Sequence, residues 1–227
     1  PGELVRGGHL PGALIARDPQ FLRPVVGLRP ASGHYLHVLS FEISRNPDGS
    51  WFVLGDRTQA PSGAGFALEN RMANNRIYSE LRQRRNVVRL AGYFRAFREA
   101  LDGLPGGEGR AAMLTPGPGN ASYFEHTFIA RYLGLMLLEG EDMVVEDGQL
   151  KVRTVEGLEP LRTLWRRLDG EFADPLELRE DSRIGTPGLI NALRAGTLNM
   201  VNALGSGVLE MRALMAFLPK ISQVLTG

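Results

Sequence analysis

The pattern of apolar and polar positions divides this chain into two styles that meet near residue 110. In the first, Tyr35 to Ser44 alternates in part, Asn46-Pro47-Asp48-Gly49 supplies a turn, and Trp51 to Leu54 returns as a second apolar run. Alternation, turn and return predict a β-hairpin. Phe66 to about Leu81 has helical character, with Leu68 and Met72 one turn apart. Val87, Leu90, Ala91, Phe94, Phe97 and Leu101 recur at spacings of three and four, which predicts an amphipathic helix. Residues 1–33, rich in Pro and Gly with an apolar stretch at Leu14 and Ile15, read as an irregular lead-in.

Gly103 to Gly109 reads as a domain linker, and beyond it short apolar runs alternate with helical segments. Strands are expected at Ala111 to Leu114, Leu135 to Leu138, Leu161 to Trp165 and Leu198 to Val201, with a hairpin around Val144, Asp147-Gly148 and Val152. Helices are expected at Ser122 to Leu133, after Thr186-Pro187 up to Gly196, and at Val208 to Phe217. Thr before Pro suits an N-cap followed by the first helical position. This rhythm predicts an α/β chain with a mostly parallel sheet. Two lobes are expected, residues 1–104 and 110–227.

Composition narrows the class. At 227 residues the chain can bury a substantial core, and 43% hydrophobic with 22% charged residues is ordinary for a globular protein. No apolar run approaches the roughly 20 residues of a membrane span, and no signal peptide is visible, so no membrane partner is expected. The formal net charge of +1 gives no field to draw nucleic acid, and the cluster Arg82, Arg84, Arg85 and Arg89 reads as a solvated helical face. Without Cys there is neither a disulfide nor a thiolate metal site, which suits a reducing, cytoplasmic setting. Pro1 suggests an excised piece of a longer chain.

Chemistry concentrates where strands run into polar loops. Trp51 to Arg71 passes from an apolar strand into Asp56, Arg57 and Pro61-Ser62-Gly63, then into a helix. Ser62 and Gly63 can offer a hydroxyl and backbone N–H groups to an anion, or simply cap that helix. Arg71, about one turn inside that helix, can reach an anion or pair with an acid such as Glu69. The loop Leu114 to His126 carries Asn120, Tyr123 and Glu125, where Ser122 and Glu125 also fit a capping box. Arg166, Arg167 and Asp169 follow a strand, so two guanidinium groups beside an acid could clamp a carboxylate. Glu177, Arg179 and Asp181 suit a surface ion-pair network. Asn202 and Ser206 sit in a last strand–loop corner that either contacts a ligand or only turns the chain. His126 has no second ligand at metal spacing.

Taken with RRLDGEFADPLELREDS, GTPGLINALRAGT and NALGSGV, the blocks WFVLGDRTQAPSGAGFALENR and MLTPGPGNASYFEH resemble the circularly permuted ATP-grasp proteins, a group similar to glutathionylspermidine synthetase. The resemblance runs from about Phe21 to Phe217. It implies a Rossmann-like substrate lobe preceded by part of a permuted ATP-grasp domain. It also implies ATP with magnesium, a small-molecule carboxylate and an amine, joined through an acyl phosphate. Non-permuted ATP-grasp enzymes hold magnesium with Glu-x-Asn at a strand end, and many permuted relatives read Glu-Asp-Asn-Thr-Arg-x-Pro-Ser-Gly there. This chain has Gly55-Asp56-Arg57-Thr58-Gln59-Ala60-Pro61-Ser62-Gly63, which leaves Asp56 as the one carboxylate and puts a cation at the position of a ligand. Arg57 then either stands in for metal charge or marks a site without catalysis.

The resemblance therefore implies Arg57, Arg166 and Arg167 in catalysis and Asp56 at a metal. Ser62, Gly63, Arg71, Asn120, Tyr123, Asp169, Asn202 and Ser206 would contact substrate or phosphate. The chain has two lysines, Lys151 and Lys220, neither well placed for a nucleotide. This piece alone is thus expected to bind ATP weakly, with the rest of the nucleotide pocket further along a longer chain. The Asp56/Arg57 loop is expected to face one shared cleft with the strand end that carries Arg166, Arg167 and Asp169. The alternative is a degenerate ATP-grasp-like binding or scaffold module.

Overall fold

A computed structural model describes residues 2–78, 80 and 88–227. Leu81, Arg82, Arg84, Arg85 and Val87 lie outside the described residues; Arg89 is exposed. The lead-in contains two short helices, Glu3–Arg6 and Gly12–Ala16, and a 3₁₀ turn at Arg23–Val25. The expected hairpin forms from β1 (Ser40–Arg45) and β2 (Trp51–Arg57), paired antiparallel with a bulge beside Glu42. Its alternation faces outward: Phe41, Ile43 and Trp51 are exposed, whereas Ser40, Glu42 and Ser44 are half-buried. Helices Ala64–Ile77 and Ala91–Asp102 follow.

The second half builds a six-stranded sheet from β3 (Arg110–Leu114), β4 (Met136–Leu138), β5 (Met143–Glu146), β6 (Gln149–Thr154), β7 (Gly157–Arg166) and β8 (Asn199–Val201). The sheet is mixed rather than mostly parallel. Strand β7 runs to ten residues: its first part pairs antiparallel with β6, and its second part pairs parallel with β3 on one edge and β8 on the other. Strand β4 pairs parallel with β3, so the parallel order is β4, β3, β7, β8. The order therefore reverses between β3 and β7, and in open α/β sheets ligands collect outside the carboxyl ends of strands at such a switch point.

Both faces of this sheet are covered, which is why its strands are apolar on both sides. Ala112, Leu114, Leu161 and Leu164 pack with Leu189, Ile190 and Leu193 of the helix Leu189–Arg194, joined by Leu22 from the lead-in. On the opposite face Ala111, Met113 and Trp165 pack with Ile129 and Leu133 of the helix Tyr123–Leu133 and with Leu68, Phe94 and Leu101. Each cluster thus draws residues from before and after the Gly103–Gly109 segment.

Two helix termini differ from their sequence reading. Thr186 does not cap the helix Leu189–Arg194; its hydroxyl donates to the Gly140 carbonyl, 3.1 Å, and the Asp174 carboxylate takes the N–H groups of Gly188 and Ile190 instead. The helix expected over Val208 to Phe217 is two 3₁₀ segments, Ser206–Glu210 and Arg212–Ala216, separated by an extended Met211. A regular helix begins only at Leu218 and ends at Thr226. Gly196, at φ 71°, closes the helix it was expected to close.

Candidate functional site

The end of β2 docks on the switch point. After Arg57 the chain leaves the hairpin, and Thr58 and Gln59 become buried. The Glu210 Oε1 atom accepts the backbone N–H groups of both, each at 2.7 Å, and the Thr58 hydroxyl donates to the Ser206 carbonyl at 2.8 Å. The Gln59 side chain then reaches the β7 exit: its Nε2 donates to Asp169, 3.2 Å, and its Oε1 accepts the Gly170 N–H, 2.7 Å. Pro61 and Ser62 rest on Arg167, which donates to the Pro61 carbonyl at 2.8 Å and to Ser62 Oγ at 3.0 Å. The two segments expected to share a cleft are therefore in contact, through Gln59 to Ser62 rather than through Asp56 and Arg57.

Arg166, the last residue of β7, and Arg167, just beyond it, do not form a two-pronged clamp, because successive residues of an extended chain point to opposite sides. Arg166 is 0% exposed and donates to the carbonyls of Leu168, Gln59 and Asn202. Burial lowers its pKa to about 10, while Asp169 and Glu210 nearby oppose that shift, so it stays charged at neutral pH. It is a tie between three chain segments. Arg167, 7% exposed, lies over the Trp165 ring at 5.3 Å and beside Glu125.

Glu125 does not form a capping box with Ser122. Its Oε1 accepts the N–H groups of Gly63, 2.7 Å, and Gly65, 3.0 Å, so it caps a different helix, Ala64–Ile77. An internal carboxylate thus occupies the anion-binding position that Ser62 and Gly63 suggested. Gly65 has to be glycine for this: an added Cβ would sit 2.6 Å from Glu125 Cγ and 2.9 Å from Ile129. Glu125 is 2% exposed, and its second oxygen has no partner among the described residues. Next to it His126 hydrogen-bonds Thr115 Oγ1 through Nδ1, 2.9 Å. Burial first, and then the Arg167 charge, lower the His126 pKa to about 4, so the ring is neutral at physiological pH.

The remaining expected residues scatter. Arg71 donates to the Val88 carbonyl, 3.2 Å, and is not drawn to the loop. Asn120 is exposed and accepts the Ser122 N–H, 2.8 Å; Tyr123 opens its helix half-buried. Asn202 is saturated: it accepts from His37 and Val38 and donates to the carbonyls of Val38 and Thr58, which makes it a clasp rather than a ligand contact. Ser206 is buried with its Oγ unpartnered. Arg179 bonds Asp181, as expected, but its other partner is Glu171, while Glu177 pairs with Arg194.

Magnesium does not fit the end of β2. Gly55 and Arg57 share a strand face with Glu42, and a Cβ at Gly55 would lie 3.5 Å from Glu42 Oε2. Arg57 fills the space that faces these carboxylates, paired with Glu42 and 3.9 Å from Glu210 Oε2. Asp56 projects from the opposite strand face. Among the described residues no three His, Cys, Asp or Glu side chains group as a metal site. Sequence reasoning missed Gln59 and Glu210, which join the hairpin exit to the sheet. Only the position of Gln59 just after a strand hinted at it.

The chain belongs to the circularly permuted ATP-grasp type 2 family, whose profile matches residues 1–227. It is 35% identical over 224 residues to an uncharacterised protein of Synechocystis sp., covering 97% of this chain and 47% of that protein. It is 37% identical over 232 residues to an uncharacterised protein of Mycobacterium tuberculosis, covering 99% of this chain and 26% of that one. An uncharacterised Mycobacterium leprae protein is 36% identical over 196 residues, 85% of this chain and 35% of that protein. The chain therefore spans less than half the length of these relatives. No helix among the described residues is long and apolar enough to cross a membrane.

Proposed function

We propose that this chain supplies the substrate-side scaffold of an ATP-dependent carboxylate–amine ligase. Family membership supports the class. The observation that carries the reading is the docking of Gln59 to Ser62 on Arg167 and Asp169, at the carboxyl ends of β3 and β7. In such a ligase a carboxylate oxygen attacks the terminal phosphorus of ATP, ADP leaves, and an amine then displaces phosphate from the acyl phosphate. No protein nucleophile is needed, so the protein's part is positioning and charge stabilisation. Arg167, with its guanidinium over the Trp165 ring and its NH groups on Pro61 and Ser62, is a cation at this edge, and on this reading it holds the carboxylate or its acyl phosphate. Arg166 acts only by holding the β7 exit. No step here depends on a metal held by these residues.

A degenerate binding module is the second reading, favoured by one observation: Arg57 is neutralised between Glu42 and Glu210 where the family's metal ligand would stand. Trapping separates the two. Hydroxylamine, offered to the full-length protein with ATP, magnesium and a panel of carboxylic acids, intercepts an acyl phosphate as a hydroxamate. Hydroxamate formed in step with ADP supports the ligase; ATP bound without ADP or hydroxamate supports the module.

A further inference from the structure

The β1–β2 hairpin turns its apolar face outward. Residues paired across two strands share a face, so the register groups Phe41, Ile43 and Arg45 of β1 with Asp56, Val53 and Trp51 of β2. Phe41, Ile43, Val53 and Trp51 are between 43% and 66% exposed. The other face carries Ser40, Glu42 and Ser44, all half-buried, with Phe52, Gly55 and Arg57 from β2. Antiparallel sheets commonly pack the apolar face on the core and leave the polar one to water. Here the order is reversed. The polar face meets the body, where Glu42 pairs with Arg57 and lies 4.0 Å from Arg212, and Arg57 lies 3.9 Å from Glu210.

The register holds this arrangement. A slip of one residue would send the apolar set inward, but it would break the Glu42–Arg57 pair and pull on Thr58 and Gln59, whose N–H groups are fixed to Glu210. Neither strand has a second partner among the described residues, so both edges of the ribbon are open. A lone two-stranded hairpin is at best marginally stable in water, and open edges beside exposed apolar side chains invite association. The two ends of the face are charged: Arg45 lies over the Trp51 ring at 5.6 Å beside the turn, and Asp56 stands opposite Phe41 at the exit. An apolar centre with a polar rim is the anatomy of a protein interface.

We propose that this face is an internal interface, covered in the full-length protein by an apolar layer from the part of the same polypeptide outside these 227 residues. The relatives show where that layer comes from. This chain covers 47%, 35% and 26% of the three described above, so each has more residues outside the match than within it. A tethered segment also meets the face at an effective concentration in the millimolar range, far above that of a second copy in dilute solution. The inference is independent of the ligase reading, because a binding module would carry the same face, and the hydroxylamine trap reports on that reading by itself.

Hydroxyl-radical footprinting of the full-length protein tests it, read by mass spectrometry at Trp51 and Phe41 and normalised to the same protein unfolded in urea. Trp165, 5% exposed, is the buried reference. Trp51 should lose its reactivity to the level of Trp165 and keep that protection on dilution. Oxidation of Trp51 at the rate of the unfolded chain would show an open face and overturn the proposal. Protection that disappears on dilution would assign the cover to a second copy and overturn it too. Photo-cross-linking from p-benzoylphenylalanine in place of Val53 identifies the cover: an adduct within one polypeptide, to a peptide outside residues 1–227, is expected. An adduct within these residues, or one joining two polypeptides, would contradict the proposal. Ile43→Asp gives a readout without a label. A lower melting temperature with Trp51 newly reactive is expected, and an unchanged melting temperature would mark the face as solvated and sink the idea.

Discussion

Glu125 Oε1 accepts the backbone N–H of Gly63 at 2.7 Å, across 62 positions of sequence, and so places an internal anion at the start of the helix Ala64–Ile77. The same oxygen holds Gly65. The contact pins the loop after β2 to the helix after β3, and it fills a position otherwise suited to phosphate or carboxylate.

Glu125→Ala should therefore destabilise the protein by about 2–4 kcal/mol, since two buried N–H groups lose their acceptor. Sulfate should restore part of that loss in the variant and little in the wild type. Urea unfolding with and without sulfate measures both; a variant as stable as wild type would remove Glu125 from the clasp.

Protonation of His126 should oppose folding. Its folded pKa of about 4 lies below the ordinary 6.5. Between those values the unfolded chain takes up a proton that the folded chain refuses, so stability falls as pH drops through this window and is fully present above it. The effect is at most about 3 kcal/mol. The difference in unfolding free energy between wild type and His126→Gln, followed from neutral pH to pH 4, should shrink as pH falls. A constant difference would show that His126 does not titrate this way.

Arg166→Ala should cost about 3–5 kcal/mol, because it strips a buried charge from three carbonyls and leaves Asp169 and Glu210 without it. Arg57→Ala should cost less than about 1 kcal/mol, as its side chain is 54% exposed. Thermal or urea unfolding ranks the two. Because Arg57 contributes little to folding, a fall in ATP affinity of full-length Arg57→Ala would report a contact with the nucleotide. Equal affinities with and without magnesium would remove Arg57 from the mechanism.

Much of the fold was legible in the chain. Turn residues and alternation located the β1–β2 hairpin, and apolar runs found β3, β4 and the carboxyl part of β7. Less visible was the first half of β7: Gly157 to Pro160 has one apolar side chain, Leu158, between a Gly and a Pro, so the pattern gives no sign of the antiparallel pairing with β6 or of the mixed sheet. The helix expected over Val208 to Phe217 failed because extended Met211 and the tertiary demand on Glu210 overrode local periodicity. At the site, spacing brought forward Ser62, Arg167 and Asp169, which the fold does bring together. It could not separate Arg166 from Arg167, whose neighbouring positions lead one into the core and the other to the edge. Glu125 looked like a local cap because its partners, Gly63 and Gly65, lie far away in sequence.

The most direct measurement is the hydroxylamine trap applied to full-length Arg167→Ala and Arg167→Lys beside wild type, with melting temperature followed in parallel. The account predicts that the alanine variant forms hydroxamate at least about tenfold more slowly, the loss of a charged contact, and that lysine recovers part of the rate by keeping the charge without the fork. Hydroxamate formation by folded Arg167→Ala at the wild-type rate would contradict it.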